Sequence, residues 1–230
     1  MQLFFSGQYS RSEDHITITE ERIIHQCSRV LRMQPGDQIQ IQDNNQRHTI
    51  VLDGFSKKAL TGKIRDTIRY PQETKITTLF IAIPNRRDKA ELIAQKLTEI
   101  GVSHIIFRQA SRSVLKSVPH KKQERIHHIA LEASEQSFRT TLPTITFLEK
   151  WDEKYILGHD VSILFYQGGS TFDSGSTEGM NNRSGIIGPE GGFTPQELEY
   201  FSPITTVHTL GSSILRMETA AMIGSRLLQQ

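Results

Sequence analysis

Ile76-Thr-Thr-Leu-Phe-Ile-Ala-Ile83, followed by Arg86-Arg-Asp-Lys-Ala-Glu-Leu-Ile-Ala-Gln-Lys-Leu-Thr-Glu-Ile100 and Gly101, decides the fold class of this chain. The first run is almost continuously apolar, the pattern of a strand covered on both faces. The second places Ile93, Leu97 and Ile100 on one helical face, and Gly101 supplies the stop. The alternation recurs downstream. Residues 102–107 read as a strand, and 119 to about 138 as a helix with Ile126, Ile129, Ala130 and Ala133 inward. Residues 161–166, 185–187 and 206–210 read as further strands, and 215–228 as a closing helix. Thr194-Pro-Gln-Glu197 is a capping box with proline at the first helical position. Repeated βα units predict an α/β fold with a mainly parallel sheet. Residues 168–184, rich in Gly, Ser, Thr and Asn, read as a loop, either a lid or an inert insertion.

Upstream the texture changes. His15-Ile-Thr-Ile-Thr19 and Asp37-Gln-Ile-Gln-Ile-Gln42 alternate at strand period, and one helix is predicted from 20 to about 31. Turn signals stand at Pro35-Gly36-Asp37, Asp43-Asn44-Asn45, Asp53-Gly54 and Thr61-Gly62. Short strands at this spacing predict a small N-terminal β-barrel. Polar residues 66–75, with Pro71, read as the linker, which divides the chain into domains 1–70 and 71–230.

The 230 residues are 36% hydrophobic and 23% charged, the balance of an ordinary globular protein. No stretch reaches the roughly 20 apolar residues of a membrane helix. Residues 1–10 lack the pattern of a secretory signal. Cys27 is the only cysteine, which excludes an internal disulfide and a cysteine-based zinc cage. The expectation is a cytoplasmic protein without membrane or metal partners. Net charge is only +2, but Arg108, Arg112, Lys116, Lys121, Lys122 and Arg125 lie close together with only Glu124 opposing them in that segment. Such a patch attracts phosphates or forms a solvated helix face.

No P-loop, G-x-G-x-x-G, H-E-x-x-H or G-x-S-x-G pattern is present. The adjacent His127 and His128 do not share a helix face, so they read as surface histidines. Two other segments carry chemistry. Ile186-Ile-Gly-Pro-Glu-Gly-Gly192 ends a strand and precedes the capped helix. Its glycines let a ligand approach bare backbone, at the strand ends where parallel sheets bind ligands; the plainer reading is a tight loop. Leu210-Gly-Ser-Ser-Ile-Leu-Arg-Met-Glu-Thr-Ala220 leaves another short strand and opens a helix. Arg216 in a first helical turn opposes the macrodipole, which suggests another task for it. The plainer reading is a surface pair with Glu218.

These two segments, in this order, resemble the ribosomal small-subunit RNA methyltransferase E (RsmE) family of the SPOUT class. Supporting stretches are Phe4-Phe5, Val30-Leu-Arg-Met33, Pro35-Gly36, Gln95-Lys-Leu-Thr-Glu-Ile-Gly-Val102, Ser111-Arg-Ser113, Glu132-Ala-Ser-Glu-Gln136 and Arg139. The resemblance implies a PUA-like RNA-binding barrel and a SPOUT-type, trefoil-knotted methyltransferase domain. It also implies a homodimer, S-adenosylmethionine as cofactor, and transfer of its methyl group to N3 of a specific uridine in 16S rRNA, within the small ribosomal subunit. Three positions depart from the family pattern: Ser213 in place of arginine, Met217 in place of threonine, and Gln167-Gly168 where an acidic residue is common.

On that reading Gly188, Pro189, Glu190 and Gly191 line one side of the cofactor, and Leu210, Gly211, Ser212, Ile214 and Leu215 the other. Arg216 holds the uracil or its phosphate. Glu218 orients Arg216, acts as base, or only starts the helix. Arg112 reaches a target phosphate across the dimer, and Arg29, Arg32, Lys121 and Lys122 contact RNA. The target base must be unpaired, because N3 lies on its pairing edge.

Overall fold

The protein is described from a computed structural model covering residues 1–43, 46–149, 151 and 153–230, with backbone alone at 174 and 176. The turn expected at Asp43-Asn44-Asn45 falls on Asn44 and Asn45, outside the described residues. The chain forms two compact units: Met1–Gln72 with Ser134–Leu142, and Glu73–Ala133 with Pro143–Gln230.

The first unit contains β1 (Gln2–Phe5), β2 (Tyr9–Ser12), β3 (His15–Ile18), α1 (Glu21–His25), β4 (Gln38–Gln42), β5 (Gln46–Phe55) and β6 (Leu60–Arg69). A π-helical turn, Gln26–Val30, continues α1. The strands form one sheet in the order β1-β4-β5-β6-β3-β2, antiparallel except for β1 against β4. Phe4, Ile16, Ile39, Ile50 and Leu60 from five of these strands meet Ile23 and Cys27 in a single core. One core fed by strands from both ends of the order marks a rolled sheet, the arrangement of a small β-barrel.

Two turn readings fail here. β5 runs through Asp53-Gly54 and β6 through Thr61-Gly62, while the reversal lies at Ser56–Ala59, where the Ser56 amide donates to the Ala59 carbonyl at 2.8 Å. Gly54 borders an irregularity in the ladder, and Gly62 allows a close backbone approach. The β5–β6 register shifts between Leu52 and Gly54, and a Cβ on Gly62 would stand 2.7 Å from the Val51 carbonyl oxygen. β6 also extends to Arg69, into the stretch read as linker. The segment 134–142 is tied into this unit by ion pairing and hydrogen bonds. Glu135 accepts the Phe5 amide at 2.9 Å and pairs with Arg22, and Arg47 donates to the Phe138 and Arg139 carbonyls.

Cys27 is fully buried, and burial pushes its thiol up to about 12. A thiolate is the reactive form, so the native protein is expected to resist aromatic disulfide reagents and to react at the rate of unfolding. Rapid labelling without denaturant would show that this core opens locally.

The second unit contains β7 (Ile76–Ala82), α2 (Arg87–Ile100), β8 (His104–Arg108), α3 (His120–Gln136), β9 (Thr144–Leu148), α4 (Lys154–Leu157) and β10 (Val161–Thr171). β11 (Asn182–Ile187), α5 (Pro195–Phe201), β12 (Thr206–Thr209) and α6 (Met217–Leu228) follow. The last turn of α3, from Ser134, is grouped with the first unit. The sheet order is β12-β10-β11-β7-β8-β9, and every described pairing is parallel. Alternation along β7 explains its apolar run. Leu79 and Ile81 enter a core with Ala90, Leu97 and Ala221, while Phe80 enters another with Ile156, Leu164 and Phe201. Both faces of the strand are covered, which sheet residues at period two require.

The stretch expected to be a loop, 168–184, is partly ordered structure. β10 continues to Thr171 beyond a register shift, a 3-10 turn spans Ser174–Thr177, and β11 begins at Asn182. Polar composition hid the strand because its extension pairs with β12 at the sheet edge, where no apolar side chain is demanded. Gly169 permits the pairing: a Cβ there would stand 2.7 Å from the His208 backbone. β9 and α4 stand where the sequence pattern predicts no element.

Candidate active site

β11, β10 and β12 are neighbours in the sheet, and their carboxyl ends open into a cavity of about 350 Å³. Gly188, Pro189, Glu190 and Gly191 line it from the end of β11, and Leu210, Ile214 and Leu215 from the end of β12. The two chemistry-bearing segments, about twenty residues apart in the chain, are therefore two walls of one cleft. Gly211 and Ser212 are exposed and do not line it, whereas Ser213 does. Gly211, at φ 125°, turns the chain there. The three departures from the family pattern converge on the cavity, since Gln167, Ser213 and Met217 all line it. Phe165 and Tyr166 from β10 contribute aromatic surface that the sequence reading missed.

The glycine-rich wall is held tightly. A Cβ on Gly188 would stand 2.8 Å from the Phe193 ring, and one on Gly191 would stand 3.2 Å from Cβ of Arg112. Arg112 Nη1 donates to the Gly191 carbonyl at 2.8 Å, so within one chain this arginine braces the loop. Beyond the loop the capping box forms as expected: Thr194 Oγ1 accepts the Glu197 amide at 3.2 Å, and Glu197 accepts the Thr194 amide at 2.9 Å. Glu197 also accepts the Ser111 amide at 3.0 Å. Burial would raise its pKa, but these hydrogen bonds and Arg108 outweigh that and lower it. Thr194→Ala is expected to cost about 1 kcal/mol of stability through the lost cap, read as a lower midpoint in urea unfolding with unchanged slope; an unchanged midpoint would mean the cap is replaced by solvent.

Lys89, in the first turn of α2, joins the two walls. Its Nζ lies 3.0 Å from Glu190 and 3.8 Å from Glu218. The Asn85 amide also donates to Glu190, at 3.2 Å. Burial acts to raise the Glu190 pKa, and the hydrogen bonds from its own amide, Lys89 and Asn85 more than offset this, so it is lowered. Glu218 Oε2 is buried and accepts no hydrogen bond among the described residues. The plainer reading, an Arg216–Glu218 surface pair, is replaced by this Lys89 bridge. Lys89 carried the signal used for Arg216, a cation where the helix dipole is unfavourable.

Arg216 is not within the first turn as expected. α6 begins at Met217, and Arg216 is its extended N-cap with ψ 151°. Its side chain is exposed and has no hydrogen-bond or ion-pair partner among the described residues. The basic segment is also less exposed than its composition suggests. Arg108 is 2% exposed, and Glu91 of α2 pairs with Lys122 at 3.7 Å and Arg125 at 2.9 Å. Lys121 remains exposed on α3. In the first unit Arg29 and Arg32 are both exposed, Arg32 with φ 53°. His127 and His128 are exposed on α3, as read. Among the described residues there is no cluster that could hold a metal ion, and no helix is long and apolar enough to cross a membrane.

Residues 71–229 match the RNA methyltransferase domain family. The chain is 32% identical to ribosomal RNA small subunit methyltransferase E of Bacillus subtilis, over 96% of this chain and 93% of that protein. It is 28% identical to the enzyme of the same name from Rickettsia conorii, over 90% and 86%. The crystal structure of ribosomal RNA small subunit methyltransferase E from Neisseria gonorrhoeae, bound to S-adenosyl methionine, superposes with a TM-score of 0.83 at 24% identity, over 100% of this chain and 97% of that one. With this match in fold and the two cleft-forming segments in place, the chain belongs to the ribosomal RNA small subunit methyltransferase E family of RNA methyltransferases, which have a SPOUT-type fold.

Proposed function

We propose that the protein transfers a methyl group from S-adenosylmethionine to N3 of one uridine of 16S rRNA, the uracil at position 1498, acting as a cytoplasmic homodimer on the small ribosomal subunit. The observation that carries the reading is the cleft in which the glycine-rich loop and the segment after β12 face each other at the carboxyl ends of three adjacent parallel strands. The neisserial relative of the same fold holds this cofactor.

The residues present fit it. The cleft has the volume of a small nucleoside derivative, and glycines at 188 and 191 let the loop that walls it pack directly against Phe193 and Arg112. Gly188, Pro189, Glu190, Gly191, Leu210, Ile214 and Leu215 would hold it, with Gly211 and Ser212 shaping the wall from behind. When bound, the cofactor supplies a methyl group activated on a sulfonium. The chain's own residues then align the acceptor and deal with its proton. Uracil N3 is protonated at neutral pH, so a base or a cation that stabilises the anion accelerates transfer. Glu218 Oε2 is buried 3.8 Å from Lys89 Nζ and has no hydrogen bond among the described residues, so Glu218 would accept that proton only once RNA binding uncovers it, with Lys89 holding the carboxylate until then. Arg216, free at the mouth of α6, would balance the uracil anion. Arg112, beyond bracing Gly191, would meet a target phosphate across the dimer. Arg29, Arg32, Lys121 and Lys122 would contact RNA backbone, the first pair on the PUA-like barrel. The trefoil knot of the catalytic domain and the homodimer belong to this same proposal.

The test is methyl transfer to unmodified small subunits, with mass spectrometry of the nucleosides. The expected product is 3-methyluridine at one site, formed only with S-adenosylmethionine. A different methylated nucleoside would replace the substrate assignment, and no product with no cofactor binding would end the enzymatic reading.

A further inference from the structure

A second cavity, of about 690 Å³, lies at the carboxyl ends of β8 and β9 and is separate from the cofactor cleft. Arg108 and Ala110 are buried in its floor, Trp151 and Phe201 form its walls, and Lys116 and Tyr200 stand exposed at its rim. Six buried side-chain polar atoms lack a hydrogen-bond partner among the described residues, and three of them belong to this cavity's lining: Nε and Nη2 of Arg108 and Nε1 of Trp151. All three are donors. Buried donors are rarely left unpaired, so a concentration of them implies an acceptor that the described residues do not supply.

The geometry narrows the choice. Arg108 Nη1 donates to the Gln109 carbonyl at 3.3 Å. Nε and Nη2 share the opposite edge of the guanidinium, where their N–H bonds run parallel as a bidentate fork. The guanidinium lies 4.6 Å from the Trp151 ring centre and 5.2 Å from that of Phe201; these rings fix its position, and the unpaired edge is closed to solvent, so a ligand reaches it only with a shift of the side chains around it. Charge argues against an anion: Lys116 and Arg108 are matched by Glu149 and Glu197, which also line the cavity. A neutral, flat ring presenting two adjacent acceptors fits this set of groups better. Among nucleobases the guanine O6/N7 edge offers such a pair on the larger ring, whereas adenine sets a donor beside N7.

We propose that this cavity binds an unstacked guanine base of the RNA substrate, with its O6/N7 edge on Arg108 and its ring against Trp151 and Tyr200. RNA as the source of that base rests on the proposed function; the recognition chemistry does not. Such a subsite would anchor a nucleotide outside the methyl acceptor and so add sequence selectivity.

Trp151 is the only tryptophan, so its fluorescence reports this cavity alone. The protein is titrated with GMP, AMP, UMP, CMP and inorganic phosphate. GMP is expected to quench saturably, about tenfold or more tightly than AMP or UMP, as loss of a bidentate pair predicts; CMP, with adjacent acceptors on a smaller ring, ranks second. Arg108→Met is expected to abolish the preference for GMP. Tyr200→Ala, an exposed change that spares the fold, is expected to weaken GMP several-fold while S-adenosylmethionine binding by calorimetry stays unchanged. Equal quenching by all four nucleotides, quenching by phosphate alone, or no quenching overturns the proposal. Because no methyl transfer is involved, saturable GMP binding without 3-methyluridine formation would sink only the proposed function, and methylation without GMP binding only this subsite.

Discussion

Gly188→Ala is expected to weaken S-adenosylmethionine binding about ten- to a hundredfold while the protein still folds, because overpacking a close contact costs about 1–3 kcal/mol and each 1.4 kcal/mol is tenfold in affinity. The added Cβ would meet Cε2 of Phe193 at 2.8 Å and Cζ at 3.0 Å, inside ordinary contact distance. Phe193 has little room to retreat. It is 6% exposed and packs edge-on against Phe201 with ring centres 5.9 Å apart. The glycine-rich loop must move instead, and the loop is the cleft wall. Calorimetric titration with the cofactor, beside a thermal melt, separates binding from folding. Wild-type affinity in a variant of wild-type stability would remove the loop from the cofactor site.

Arg216→Ala is expected to lower methyl transfer about 10²–10³-fold, the range for removing a group that stabilises developing negative charge, with cofactor affinity within about twofold of wild type. The side chain makes no described contact within the chain and is exposed, so its loss removes no packing. Surface changes of that kind usually alter stability by about 0.5 kcal/mol or less. Arg216→Lys is the informative companion. It keeps the charge and loses the planar fork, so partial rescue would indicate charge balance and no rescue bidentate positioning. Undiminished turnover in Arg216→Ala would reassign charge stabilisation, with Lys89 the nearest described cation to Glu218.

The contrast between Arg216 and Arg108 shows how sequence misleads about basic residues. Both were legible as cations in informative places. Only packing separates them: one stands exposed at the start of α6 with no partner among the described residues, and the other is buried among Trp151, Phe193 and Phe201, where desolvation lowers its pKa to about 10. The charge pattern of 108–128 could not reveal this, nor that Glu91 on another helix pairs with Lys122 and Arg125, because those pairings join elements distant in the chain.

What the sequence determined by itself was whatever depends on local order. The apolar run at 76–83, the helical spacing at 93–100, the Thr194–Glu197 cap and the glycine-rich turn after β11 each express a short-range rule, and each is where it was read. The tertiary structure decided whatever depends on neighbours. It carried β10 to Thr171 because β12 pairs with it, absorbed Asp53-Gly54 and Thr61-Gly62 into paired strands, and brought Lys89 between Glu190 and Glu218. Backbone propensity and hydrophobic period act over a few residues, whereas ladder pairing, desolvation and ion pairing act between strands and helices that only the folded sheet makes adjacent.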